Sequence, residues 1–201
     1  IGTRLDLSDA PSLLAYPKDR AASGRLSELL TLGQRRAGKG ECYLTLEDVA
    51  HHKAGQVFVL LTPPGHPTDS FLKSVQSVQK ALEGEQVYLG LSMTYQGGDR
   101  ERLNLYAHHA KGLNIPLLAH NDTQYHVAER RPLQDVITAI KEGCTVADAG
   151  AQLALNAERH LKSAEDMAQL FQGYEDTLHR SMDIVNACQF SLDELKYEYP
   201  D

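Results

Sequence analysis

Between residues 120 and 126 the chain places His120, Asn121, Asp122, Gln124 and His126, its densest run of polar and ligand-capable side chains. Imidazole and carboxylate both ligate divalent metals. Asp122 carries a second reading as well, because Asn and Asp after a strand commonly close a turn through their own backbone. His120 and His126 bracket it and are its candidate co-ligands. The other histidine pairs, His51–His52 and His108–His109, fall on helical stretches. Neighbours there point about 100° apart, so such a pair does not grip one ion. No serine or cysteine has a recognisable base partner, and no glycine loop of the phosphate-cradling kind is present.

Something must hold that polar loop in place. The apolar run at residues 115–119 reads as a buried strand of a parallel sheet, and α/β proteins put their chemistry beyond the C-terminal ends of such strands. After the loop, Pro132 opens a helix over 132–142 that Gly143 ends. Leu133, Val136, Ile137 and Ile140 share one face of it and read as core. Upstream, strands are expected over 1–7, 11–16, 57–61 and 87–93. Helices are expected over 19–37, from the Thr45–Asp48 capping box to near Gly55, through Phe71 to Leu82, and over 99–113. This rhythm implies parallel pairing with right-handed crossovers. Beyond Ala119 only helix is expected, over 132–142, 145–150, 164–172 and 174–188. Leu170, Phe171, Leu178, Val185 and Cys188 are expected to turn inward.

A chain of 201 residues, 42% hydrophobic and 23% charged, has room for one good-sized core. No apolar run approaches the roughly 20 residues of a membrane span. Three scattered cysteines suggest neither a disulfide framework nor a zinc site, and a reducing cytoplasm is the expected location. The net charge of −7 argues against an autonomous nucleic-acid binder, since duplex affinity comes largely from Lys and Arg on phosphates. The chain opens at Ile1 in what reads as mid-strand, as an excised piece of something longer would.

The run NDTQYH at 121–126, followed by ERRPLQDVITAI at 129–140, resembles the last core motif of the PHP (polymerase and histidinol phosphatase) domain, in the version fused to bacterial C-family DNA polymerases. NAERHLKSAEDMAQLF at 156–171 is similar to that family's helical segment beyond the barrel. FSLDELKYEYPD at 190–201 is similar to the junction with its polymerase body. IGTRLDL at 1–7 and LTLGQRRAGKGEC at 30–42 resemble the error-prone subgroup.

The resemblance implies an α/β fold, an incomplete, distorted PHP-type β/α barrel over 1–144. A helical extension over 145–190 and a linker over 191–201 would follow. It implies part of an error-prone polymerase, a nucleotidyltransferase of damage-induced translesion synthesis, DNA repair and replication. The partners would be the polymerase body of the same polypeptide, DNA through the full-length protein, other mutagenesis-complex proteins and the sliding clamp, with no membrane.

It also implies a degenerate metal site. Arg4 stands where the family motif has a metal carboxylate, Gly90 at a glutamate position, and Gln124 where Asp-x-His would supply an imidazole. Near Ala10 and Pro11, where the family often has a histidine, no ligand is present. Asp122, with His120 or His126, would be a vestigial ligand set, and Arg4 is expected to pair with Asp122 in place of an ion. Arg130 and Arg131 are candidates for a domain interface or for DNA phosphate. No catalytic residue and no cofactor are expected, and the fragment itself is expected to be inactive. Two other functions stay open. One is a working phosphoesterase or proofreading 3'–5' exonuclease using manganese or zinc. The other is a free-standing interaction domain.

Overall fold

The computed structural model describes residues 1–93 and 95–195. Of the linker expected over 191–201, residues 196–201 lie outside the described residues. The fold is built outward from β3 (Gln56–Leu61), whose six residues QVFVLL are all buried. A strand apolar on both faces belongs in the middle of a covered sheet. It has β2 (Leu13–Pro17) on one side and β4 (Gln86–Ser92) on the other, with β1 (Thr3–Leu5) and β5 (Leu117–His120) at the edges. The five-stranded sheet, in the order β1-β2-β3-β4-β5, stays open and does not close into a barrel.

The strand–helix alternation holds, but only part of the expected parallel pairing does. β3, β4 and β5 are parallel, joined through α3 (Asp69–Ala81) and α4 (Asp99–Gly112). β1 and β2 pair antiparallel, because the connection over 6–12 is too short for a crossover. β2 and β3 are also antiparallel, although α1 (Arg20–Arg36) and α2 (Leu46–His51) lie between them. Pro17 pairs with Gln56, so that excursion leaves and re-enters the sheet at the same end.

Residue alternation sends each strand to two clusters. Leu13, Ala15, Phe58, Leu60, Leu89 and Leu91 meet Leu26, Leu29, Val75, Val78, Leu103 and Tyr106 of the helices on one side. Val57, Val59, Tyr88 and Leu118 meet Ile184 of α7 (Glu175–Ala187) on the other. Helix starts follow local chemistry: the Thr45–Asp48 and Ser163–Asp166 capping boxes are both made, the second opening α6 (Ala164–Leu170).

Three expectations from the C-terminal half fail. α5 (Arg131–Glu142) forms with Pro132 in its first turn and Gly143 left-handed at its end. Its apolar stripe is not core. Leu133, Val136, Ile137 and Ile140 are 52%, 43%, 51% and 74% exposed, and the buried residue of α5 is Ala139. Amphipathicity predicts that a face wants cover, not that this part of the chain supplies it. Residues 145–150 are not a helix: the Asp148 N–H donates to the Thr145 hydroxyl, but a turn and a short 3-10 segment, Gly150–Gln152, follow. Val185 is exposed, and α7 buries Thr177 and Ile184 instead. Leu170 and Phe171 are buried, with Leu178 and Cys188 partly covered at the two clusters. No helix among the described residues is long and apolar enough to cross a membrane.

Candidate functional site

The loop after β5 lies at the C-terminal end of the parallel strands, where the sequence placed it. Asp122 adopts φ 44°, a left-handed conformation that short polar side chains tolerate. Its amide N–H donates to Nδ1 of His120 at 3.1 Å. That bond leaves the proton of a neutral imidazole on Nε2, which is sealed from solvent and has no hydrogen-bond partner among the described residues. Burial pushes the His120 pKa down to about 4. The Asp122 carboxylate pulls it up, and the charges of Arg102, Arg159 and Arg4 push it down further. His120 is therefore neutral at pH 7.

Space for that ring comes from Gly90. A Cβ there would lie 2.9 Å from Cγ1 of Val59, 3.0 Å from Cδ2 of His120 and 3.1 Å from its Nε2. The imidazole of β5 fills the volume that a side chain on β4 would take.

Asp122 has a cationic partner, and it is Arg159. The guanidinium donates to the Asp122 carboxylate through Nη2 and to the Asp122 carbonyl through Nε at 3.1 Å. With its amide oxygen facing Arg159, Gln124 accepts from both terminal nitrogens at 3.1 and 3.3 Å. The backbone closes the same clasp: the Gln124 N–H donates to the Arg159 carbonyl at 2.8 Å, and the Leu161 N–H to the Tyr125 carbonyl at 3.1 Å. The side-chain amide of Asn121 donates to the carbonyls of Glu158, at 3.2 Å, and His160. So the segment over 158–161 is extended and laid against the loop, forming a single bridge between Tyr125 and His160.

The expected Arg4–Asp122 pair does not form. Arg4 sits on the edge strand β1 and donates to Asp6 at 2.8 Å and to Ser12 at 3.4 Å. Burial raises the Asp6 pKa, but hydrogen bonds from Ser12 and Arg4 and the charges of Arg4 and Lys141 outweigh it and hold the carboxyl below its usual range. Arg159 is 37 residues beyond Asp122 in an irregular segment, with no periodicity to announce it.

A cleft of about 290 Å³ opens beside the clasp, lined by Thr62, His66, Ser92, Gly98, Arg102, Asp122 and Arg159 among others. Arg102, another residue the sequence did not single out, is buried in its wall and donates to the Ser92 carbonyl and, at 3.2 Å, to Asp99. His126 is exposed, as is Arg130. Arg131 is engaged within the chain, donating to the Ala154 carbonyl at 2.6 Å and lying 3.5 Å from Asp135. Among the described residues no three His, Cys, Asp or Glu side chains converge as a metal cluster would require.

No protein-family model matches the chain. Over its whole length it is similar to one segment of several error-prone DNA polymerases. It is 44% identical to the enzyme of Caulobacter vibrioides over 201 residues, 40% to error-prone DNA polymerase 1 of Agrobacterium fabrum over 201, and 43% to that of Brucella abortus over 203. All of this chain is covered in each comparison, against 18%, 18% and 19% of the respective relatives, so the chain spans under a fifth of their length.

Proposed function

We propose that this chain is a PHP module of an error-prone DNA polymerase whose metal site has been replaced by an internal ion pair, and that it supports the polymerase body of a longer polypeptide. The observation that carries the reading is the seat of Arg159. Asp122 and Gln124, the two residues of the Asp-x-His-like motif, both turn to one guanidinium. A guanidinium carries the charge of an ion but offers no coordination site and cannot lower the pKa of a water.

The donor set supports the same conclusion. A bridged two- or three-ion centre needs several oriented carboxylates and imidazoles. Here the carboxylate is already paired, and His120 turns Nδ1 to a backbone amide. His126 stands in solvent, and Gly90 supplies no side chain. These residues do not fit a manganese or zinc cluster. On this reading the cytoplasm is the location. DNA, the sliding clamp and other mutagenesis-complex proteins are then partners of the full-length protein.

The test is metal analysis of the full-length protein, with hydrolysis of a generic phosphoester and of single-stranded DNA ends in added manganese or zinc. The expected result is no stoichiometric metal and no turnover that depends on Asp122. Bound metal at one or more equivalents, or hydrolysis abolished by Asp122→Ala, would establish the phosphoesterase instead.

A further inference from the structure

The extended segment that closes the clasp also builds a second cleft. Extended chain sends successive side chains to opposite sides. Arg159 goes to the loop after β5, whereas Glu158, His160 and Lys162 line a separate cleft of about 400 Å³. The rest of its lining comes from Met93 and Tyr95 after β4, Arg100 of α4, and Asp166, Gln169 and Leu170 of α6.

Lys162 is the buried charge that the clasp does not use. Its side chain is only 5% exposed, and an ammonium is costly to bury unless it is hydrogen-bonded. Nζ donates to Glu158 at 2.8 Å and to Nε2 of His160 at 3.4 Å. That ring nitrogen can accept because Nδ1 donates to the Ala157 carbonyl at 2.8 Å and so carries the proton. Two of the three ammonium protons are thus placed, and the third has no acceptor among the described residues.

The carboxylates of the cleft are engaged: Glu158 pairs with Lys162, and Asp166 accepts from the Ser163 N–H at the start of α6. Arg100 donates through Nη1 to the Gln172 carbonyl at 2.8 Å, and its other donors are open among the described residues. Tyr95 is 61% exposed at φ 52°, a conformation bulky residues seldom adopt, and its carbonyl accepts from Asn156 at 3.2 Å. Met93 and Leu170 are buried and supply apolar surface. A ligand therefore meets an aromatic ring, an apolar patch and the open donors of two cations. That combination suits single-stranded nucleic acid, whose bases stack on aromatic rings while its phosphates meet Lys and Arg. The volume falls within the roughly 300–1,000 Å³ of small-molecule clefts, which suits one nucleotide and excludes a duplex.

We infer that this cleft takes one nucleotide of single-stranded DNA, with its base on Tyr95 and its phosphate on Lys162 and Arg100. In a chain of net charge −7 the contact guides a strand held by other parts of the protein and does not bind one alone. The choice of DNA as the strand rests on the proposed polymerase reading, whereas the chemistry of the cleft does not.

The test irradiates the full-length protein with a thymidine oligonucleotide carrying one 5-iodouracil, and separately with free 5-iodo-deoxyuridine monophosphate, and maps the photoadducts by mass spectrometry. The exposed Tyr43, which lines no part of this cleft, is the control. The expected result is oligonucleotide adduct on Tyr95 at least tenfold above Tyr43, reduced at least fivefold by Lys162→Met and by Arg100→Gln. Arg100 is exposed, so its substitution reads the site even where the loss of Lys162 impairs folding. Adduct on Tyr95 no higher than on Tyr43, adduct unchanged by Arg100→Gln, or equal labelling by the free nucleotide would overturn the inference. Templated DNA synthesis by the same preparations reports on the polymerase reading separately. Synthesis without the adduct sinks only the cleft, whereas the adduct without synthesis sinks only the polymerase.

Discussion

At the clasp after β5, one buried imidazole makes the acid side of the stability profile distinctive. His120 has a folded pKa of about 4 against about 6.5 when unfolded, so the unfolded chain takes up the proton first. Its contribution is fully present above pH 6.5, falls as the pH drops towards 4, and is constant below that. The fall amounts to roughly 3 kcal/mol. Urea unfolding at pH 7, 5.5 and 4 should show it, and His120→Asn should flatten that window. Gly90→Ala drives a methyl against Val59 and the His120 ring and should cost about 1–3 kcal/mol by the same assay. The ion pair is testable by double-mutant cycles. Asp122→Ala and Arg159→Ala should couple by about 1 kcal/mol, while Asp122→Ala and Arg4→Ala should be additive, since Arg4 is paired with Asp6. Coupling through Arg4 instead would contradict the geometry of the clasp.

Two large apolar side chains in the C-terminal half behave in opposite ways. At the C-terminal end of α6, Phe171 is fully buried against the main cluster. Phe171→Ala should cost about 3–5 kcal/mol, measured by chemical denaturation. On α5, Ile140→Ser removes an equally apolar side chain and should change the stability of the 201-residue chain by no more than about 0.5 kcal/mol, because that side chain is already in water. A large loss at Ile140 would mean that α5 packs elsewhere. α2 illustrates how local chemistry fixes an element. Asp48 accepts from the Thr45 backbone N–H and hydroxyl, each at 2.9 Å, and from Arg36 at 2.7 Å. This one carboxylate caps α2 and ties it to the end of α1.

For the whole molecule, charge sets the first constraint. At −7 the chain should bind duplex DNA more weakly than the roughly 10⁻⁴ M of the feeblest non-specific binders at physiological salt, as fluorescence anisotropy would show. Tight, salt-dependent binding would refute this. The sequence by itself determined what depends on neighbours along the chain. The strand–helix alternation, the capping boxes at Thr45 and Ser163, the stop at Gly143 and the polar loop after β5 all arise from periodicity, side-chain-to-backbone bonding and left-handed φ, which a few residues specify. The resemblance to error-prone polymerases was legible for the same reason, as ordered local motifs. Only the tertiary structure decided what depends on residues far apart. The antiparallel direction of β2 follows from where a long excursion re-enters the sheet. Which arginine meets Asp122 depends on an irregular segment folding back from 37 residues away. Whether the face of α5 is covered depends on which other surfaces reach it. A helical period records that a face is apolar, but burial is a property of the space around it, and here no described element occupies that space.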